Sequence, residues 1–135
     1  MSTPYQDRPI PAPLKNPENR EYFEAAGNGR LLVKHCPDCG KSHHYPRSFC
    51  PFCHSPRVEW REASGRGTLY TYTVTRRAGP TPYALAYVTL EEGPTMLTNI
   101  VDCDLDSLSV GQAVKVVFKA SEDGTAVPMF TPVLS

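Results

Sequence analysis

This sequence has no net charge: lysine and arginine together number 14, and so do aspartate and glutamate. A general nucleic-acid binder needs a basic face, so a balanced chain argues against that class. There is no apolar run near the ~20 residues that a membrane span requires. The first segment, Met1 to Lys15, is polar and proline-rich and offers no apolar stretch to serve as a signal sequence. A cytoplasmic protein with no membrane association is expected. No Ser-His-Asp set, nucleotide-binding loop or paired-carboxylate motif stands out, so the chain is not expected to be catalytic on its own. No internal repeat is visible.

Turns, by contrast, are plentiful. Fourteen prolines and nine glycines in 135 residues suit a loop-rich, mainly β chain of one domain or two very small ones. Charge is mildly uneven. Residues 1–66 hold ten basic and seven acidic side chains, and residues 67–135 hold four and seven, giving +3 followed by −3.

In order, Pro4, Pro9, Pro11 and Pro13 make residues 1–15 an extended arm, either disordered or laid along another surface. A helix is expected within residues 16–30. Asn16 suits its N-cap and Pro17 its first position, with Gly27 or Gly29 ending it. About ten residues are too few for a stable isolated helix. Tyr22, Phe23 and Ala26 must therefore bury against the rest of the chain or against a partner protein; Tyr22 and Phe23 are the candidate partner-binding residues. Residues 31–56 hold two cysteine pairs. Residues 57–135 read as five or six short strands, among them Thr68–Thr75, Tyr83–Leu90, Met96–Val101, Val114–Phe118 and Val127–Val133, which suggest a small barrel. Gly65 and Gly67 flank the first long strand, where tight curvature calls for a residue without Cβ.

Cys36-Pro-Asp-Cys39 and Cys50-Pro-Phe-Cys53 are two Cys-x-x-Cys turns ten residues apart. In a reducing compartment such pairs are metal ligands rather than disulfides. Each turn presents two sulfurs to one ion, giving a tetrahedral site with Zn–S near ~2.3 Å. One structural Zn²⁺ held by Cys36, Cys39, Cys50 and Cys53 is expected, with two redox dithiols or iron as the alternatives. Four protein ligands leave no position open for water, so the site is structural. Lys34, Lys41 and Arg47 are near enough in sequence to soften the charge of −2. Gly40 follows the first pair and permits its tight turn. His54 stands in that place after the second, where the geometry is expected to differ. His35, His43, His44 and His54 are expected on the ribbon surface.

Cys103 lies between Asp102 and Asp104, which disfavour a thiolate, and reads as a half-buried structural cysteine. Asp102, Asp104 and Asp106 resemble the start of a calcium loop, but Ser107 and Ala113 stand where its glycine and final glutamate belong. A solvated turn is expected. Tyr70, Tyr72, Tyr83 and Tyr87 could stack bases or form barrel core and rim, the commoner case. Arg76 and Arg77 end a strand and enter the loop Ala-Gly-Pro-Thr-Pro; arginine is suited to phosphate, and the alternative is an ordinary exposed loop.

The helix motif Pro17-Glu18-Asn19-Arg20-Glu21-Tyr22-Phe23, the zinc-ribbon pattern, Gly65-Arg66-Gly67-Thr68-Leu69-Tyr70-Thr71-Tyr72-Thr73-Val74 and Leu108-Ser109-Val110-Gly111-Gln112-Ala113-Val114 follow one another along the chain. The chain resembles, from Asn16 to Pro132, the short proteins that join a rubredoxin-like zinc ribbon to an OB fold, catalogued as a domain of unknown function. The resemblance implies a non-catalytic accessory subunit in a hetero-oligomer. Its partner would be a thiolase-fold enzyme of lipid or steroid metabolism, either a thiolase or an acyl-CoA aldolase. The subunit would support that enzyme's stability and its handling of acyl-CoA, and the coenzyme A thioester could be shared with the partner. Arg76 and Arg77 are then the candidate contacts to coenzyme A phosphates. The rival readings are a single-stranded nucleic-acid-binding OB protein, a free-standing acyl-CoA-binding module and a rubredoxin-like electron carrier.

Overall fold

The computed structural model describes residues 3–77 and 81–133. Ala78, Gly79 and Pro80, in the loop that follows Arg77, lie outside the described residues. One helix, α1 (Arg20–Gly27), precedes eight strands: β1 (Leu32–His35), β2 (Ser42–His43), β3 (Glu59–Glu62), β4 (Arg66–Thr75), β5 (Tyr83–Leu90), β6 (Thr95–Ile100), β7 (Ala113–Ala120) and β8 (Ala126–Pro132). The fold is mainly β, as the sequence predicts. No described helix is long and apolar enough to cross a membrane.

The regular helix starts later than expected, because residues 17–19 form a turn first. Asn16 nevertheless acts as a cap. Its Oδ1 accepts from the Asn19 N–H at 3.0 Å, and Asn19 Oδ1 accepts from the Asn16 N–H at 2.8 Å. This is the reciprocal arrangement of a capping box, with asparagine in the place usually taken by glutamate. The helix ends at Gly27. The Arg30 N–H donates to Ala25 C=O at 2.9 Å and the Gly29 N–H to Ala26 C=O at 3.0 Å, the paired bonds of a Schellman motif.

Two sheets follow. The ribbon sheet has the order β2-β1-β3, all antiparallel. Its third strand, Glu59–Glu62, falls in the segment given to the barrel from sequence, yet it pairs residue for residue with β1. The barrel begins only at Arg66 and closes in the order β4-β5-β6-β8-β7. Gly67 lies where β4 runs close against β5: a Cβ there would sit 2.7 Å from the Thr89 carbonyl oxygen. A bulge between Leu69 and Thr71 bends β4.

The inward residues form one core. Phe130, Leu69, Ile100, Val88 and Val114 are fully buried, and the same apolar cluster includes Tyr22, Phe23, Leu31 and Val33. The helix thus joins ribbon to barrel. Tyr22 and Phe23 are 4% and 8% exposed. Their rings are used within the chain, which leaves neither available as the partner contact considered from sequence.

The proline-rich arm is laid along the barrel. Pro4 bridges Asp104, the Tyr5 N–H donates to Cys103 C=O at 2.8 Å, and the Leu105 N–H donates to Thr3 C=O at 2.8 Å. Asp104 Oδ1 accepts from the Thr3 N–H at 2.8 Å, and Asp106 Oδ2 accepts from the Thr3 hydroxyl at 2.6 Å. The acidic turn is therefore more than a solvated loop. Asp104 and Asp106 hold the arm.

Candidate metal centre

The metal site is built from two turns with the same hydrogen-bond plan. In the first, the Gly40 N–H donates to Cys36 C=O at 2.8 Å and the Cys36 N–H to Lys41 C=O at 2.9 Å. In the second, the His54 N–H donates to Cys50 C=O at 2.8 Å and the Cys50 N–H to Ser55 C=O at 2.8 Å. Gly40 has φ +74° and His54 φ +66°. The expected difference between the turns is absent. His54 adopts the left-handed conformation that glycine takes in the first turn, although its Cβ disfavours it.

These turns bring all four Sγ atoms within 4.8 Å of one another. Cys36 lies 3.6 Å from Cys53, and Cys39 lies 3.7 Å from Cys50. A tetrahedron with bonds of ~2.3 Å has edges of roughly 3.8 Å, so the cage fits a tetrathiolate ion. Cys36 and Cys50 are buried while Cys53 is exposed. Backbone N–H groups of Lys41, Phe52, Cys53 and Ser55 donate to the sulfurs and spread their negative charge.

A side-chain brace ties the turns together. Asp38, inside the first pair, accepts hydrogen bonds from the Ser55 hydroxyl and from the Arg57 guanidinium, just beyond the second. Those donors hold its carboxyl below the ordinary value. Two of the three cations expected to soften the cage are otherwise engaged: Lys34 lies over the Trp60 ring at 4.2 Å and Lys41 over Phe52 at 4.9 Å, while Arg47 is exposed. Arg57 is the cation bound to the cage's own brace. Sequence reasoning missed it, although its position four residues past Cys53 was a usable signal.

Two of the four histidines are not on the surface. His43 is buried, and both of its ring nitrogens lack a hydrogen-bond partner among the described residues. His44 Nε2 is 3.0 Å from the Tyr22 hydroxyl. Burial, with His43 alongside, pushes His44 down to about 4. Tyr22 is raised by burial and by Tyr45. Asn19 Nδ2 donates to the Tyr45 hydroxyl at 2.7 Å, so helix and ribbon share one polar network. His35 bonds Ser42 at 2.9 Å, and His54 is exposed.

The arginine pair lies elsewhere, past the end of β4 opposite the ribbon connection. Arg76 is ion-paired with Asp106 and so helps hold the arm turn. Arg77 is exposed and has no ion pair among the described residues. Tyr72 donates to Leu108 C=O at 2.8 Å and packs on the core, Tyr83 stacks under Arg8 at 4.0 Å, and Tyr70 and Tyr87 are exposed. The four tyrosines do not form one stacking platform. Cys103 is half-buried, and burial with Asp104 and Asp102 raises its thiol to about 11. No catalytic set is assembled among the described residues.

Comparison with known proteins identifies this architecture. The family profile of the ChsH2 rubredoxin-like zinc ribbon domain matches residues 23–59, and that of the ChsH2 C-terminal OB-fold domain matches residues 60–119. A probable enoyl-CoA hydratase alpha subunit of Thermomonospora curvata is 33% identical over 126 residues, which are 90% of this chain. This chain spans only 40% of that relative's length. A DUF35 domain-containing scaffold protein of Methanothermobacter thermautotrophicus is 38% identical over 103 residues, covering 70% of this chain and 76% of the relative. Among solved structures, a chain of the Ltp2-ChsH2(DUF35) aldolase superposes with a TM-score of 0.78 at 32% identity, covering 91% of this chain and 100% of that one. A DUF35 protein of Sulfolobus solfataricus shares the fold at a TM-score of 0.65 and 16% identity. The chain belongs to the DUF35 family of ChsH2-type proteins, in which a rubredoxin-like zinc ribbon is followed by an OB-fold barrel.

Proposed function

We propose that this chain is a non-catalytic, zinc-bearing accessory subunit of a thiolase-fold acyl-CoA enzyme. It stabilises that enzyme and assists its handling of the coenzyme A substrate. The observation that carries the reading is the match, across nearly the whole of both chains and at 32% identity, to a chain of the Ltp2-ChsH2(DUF35) aldolase. The scaffold role given to the archaeal relative supports it. So does the donor set. Cys36, Cys39, Cys50 and Cys53 would hold one Zn²⁺, whose contribution is structural because four sulfurs complete its coordination. The reacting groups then belong to the partner.

Affinity purification from the native host tests this, with mass spectrometry of what is recovered and metal analysis of the chain. A thiolase-fold enzyme in fixed ratio and one zinc per chain are the expected results. Recovery without such an enzyme overturns the reading, and one iron in a red, redox-active protein favours an electron carrier.

A second reading, a free-standing acyl-CoA module, draws on one cleft of about 690 Å³ at the Arg66 end of the barrel. Arg66 and Lys115 sit beside Leu90, Val114 and Val133 there, offering cations next to an apolar wall. Calorimetry with coenzyme A separates the two. An accessory subunit binds it weakly until its enzyme is present, and a free-standing module binds it alone.

A further inference from the structure

Strands β4, β5 and β6 together contain 24 residues, and their one charged side chain is Arg66, at the outer end of β4. Charged residues make up 21% of the chain, so about five are expected in a segment of that length. The inward positions hold the core. The outward positions run Thr71 and Thr73 on β4, Leu85, Tyr87 and Thr89 on β5, and Thr95, Leu97 and Asn99 on β6. Register places Thr71, Tyr87 and Leu97 in one row across the three strands and Thr73, Leu85 and Asn99 in the next.

An antiparallel sheet with one solvated face ordinarily alternates apolar inward and polar outward positions. This face departs from that rule. Leu85 is 43% exposed, Tyr87 45% and Leu97 51%, and Tyr70, at the bulge beside them, is 65% exposed. A shallow dimple of about 110 Å³ lies among Leu85, Tyr87, Leu97, Thr71 and Thr73. On the same barrel, β7 does carry charge, in Lys115 and Lys119. The charges reappear only at the ends of the face. Arg77 follows β4 at one end, and Glu91 follows β5 at the other.

We infer that the outer face of β4-β5-β6 is the docking surface for the enzyme partner, and that the partner covers it with an uncharged, apolar protein surface. The identity of the partner rests on the accessory-subunit reading; the surface and its chemistry are argued from this face alone. Interface centres are depleted of charge and enriched in aromatic residues, with a polar rim, which is the pattern seen here. Burying such a face strips water from no ionised group. A nucleic acid would need cations on the face to neutralise phosphate, and β4, β5 and β6 carry none beyond Arg66 at the outer end.

The test uses the full chain and the thiolase-fold enzyme that co-purifies with it. Leu85→Glu, Tyr87→Glu and Leu97→Glu each place a charge at an exposed position that tolerates it, so metal content and circular dichroism should stay unchanged. Calorimetry should show each variant binding the enzyme on the order of a hundredfold more weakly, as for the loss of a central contact. Ala120→Glu, at an exposed position at the end of β7, should bind like the parent chain. Parent-like affinity in all three face variants overturns the docking surface while leaving the accessory role standing. Failure of the parent chain to bind any such enzyme overturns both. In sedimentation the parent chain alone should be monomeric. A dimer dissociated by Tyr87→Glu would assign the face to a second copy, and salt-sensitive binding of a single-stranded oligonucleotide abolished by Tyr87→Glu would assign it to nucleic acid. Either result overturns the proposal.

Discussion

Ribbon and barrel reach a fixed structure by different means. The barrel closes on itself, so every strand has two neighbours, and its inward side chains fill a common core. The ribbon has two strand edges, and its strands are four, two and four residues long. Strands that short with so few buried side chains do not hold a unique register alone. The ribbon's order comes from two other sources. Four sulfurs lie close enough together to hold one ion, and α1 wedges Tyr22 and Phe23 between ribbon and barrel. Because Leu31 and Val33 of the ribbon join the barrel's core, the N-terminal half is not coreless. The portion expected to depend on the metal is the two cysteine turns and the segment between them.

The sharpest way to break this contrast is to remove the metal. Structural zinc contributes roughly 10–16 kcal/mol in small ribbons. Chelation, or Cys50→Ser, should collapse the backbone order of residues 36–57 while leaving α1 on the barrel. Amide resonances followed by NMR should lose dispersion in that stretch alone. Loss of barrel dispersion at the same chelator concentration would show that the two regions are one cooperative unit.

The same contrast explains what was legible in the sequence. Cysteine spacing is a direct statement of coordination chemistry, so the four ligands could be read without knowing the fold. The strand Tyr83–Leu90 could also be read to the residue, because its largely apolar run ends at the turn Glu91-Glu92-Gly93-Pro94. The fate of Glu59–Glu62 could not. Its alternation suits either sheet, and only the register with β1 decides. Asp38 and Arg57 are nineteen residues apart, and Thr3 is more than a hundred from Asp104 and Asp106. Contacts at such range leave no periodicity to detect. His43 and His44 were misplaced because residue type favours the surface, whereas His43 is buried and Tyr22 of α1 packs against His44.

A core substitution sharpens the comparison from the other side. Phe130 is fully buried, and β8 places it opposite Val116 and beside Ile100. Phe130→Ala should cost about 3–5 kcal/mol through lost transfer and the cavity left behind. Denaturant unfolding followed by the fluorescence of Trp60, on the ribbon strand β3, should shift with it if the shared core couples the two regions. Competition with a metal indicator should show zinc affinity of the folded protein unchanged.

Acid should act on the seam. His44 has a folded value of about 4 against an ordinary 6.5, the shift arising from burial and from His43. Between these values the unfolded chain takes up a proton that the folded chain refuses. The contribution is therefore fully present above pH 6.5 and is lost as pH falls through about 4, by about 3 kcal/mol in all. His43 is shifted in the same direction, by burial first and by Lys34 and Arg47 second. Thiolate protonation also releases metal in acid, so the informative measurement is a difference. His44→Gln keeps a polar contact to Tyr22 and does not titrate. Its stability, followed by denaturant unfolding from pH 7 to pH 5, should fall less steeply than the parent's.

The smallest effect lies in the two matched turns. Gly40 and His54 have nearly the same left-handed φ, but only His54 carries a Cβ that crowds the following carbonyl, at a cost of about 1–2 kcal/mol. Glycine would remove that strain and would also enlarge the unfolded ensemble, which costs about 0.4–1 kcal/mol. His54→Gly should therefore stabilise the metal-loaded chain by about 0.5–1 kcal/mol, seen as a small rise in denaturation midpoint. The imidazole is exposed, and the centroid of the Phe49 ring lies 6.3 Å away, so little contact is lost. A clear fall in the midpoint instead would show that His54 makes an interaction worth more than the strain it carries, and the second turn would then differ from the first in more than sequence.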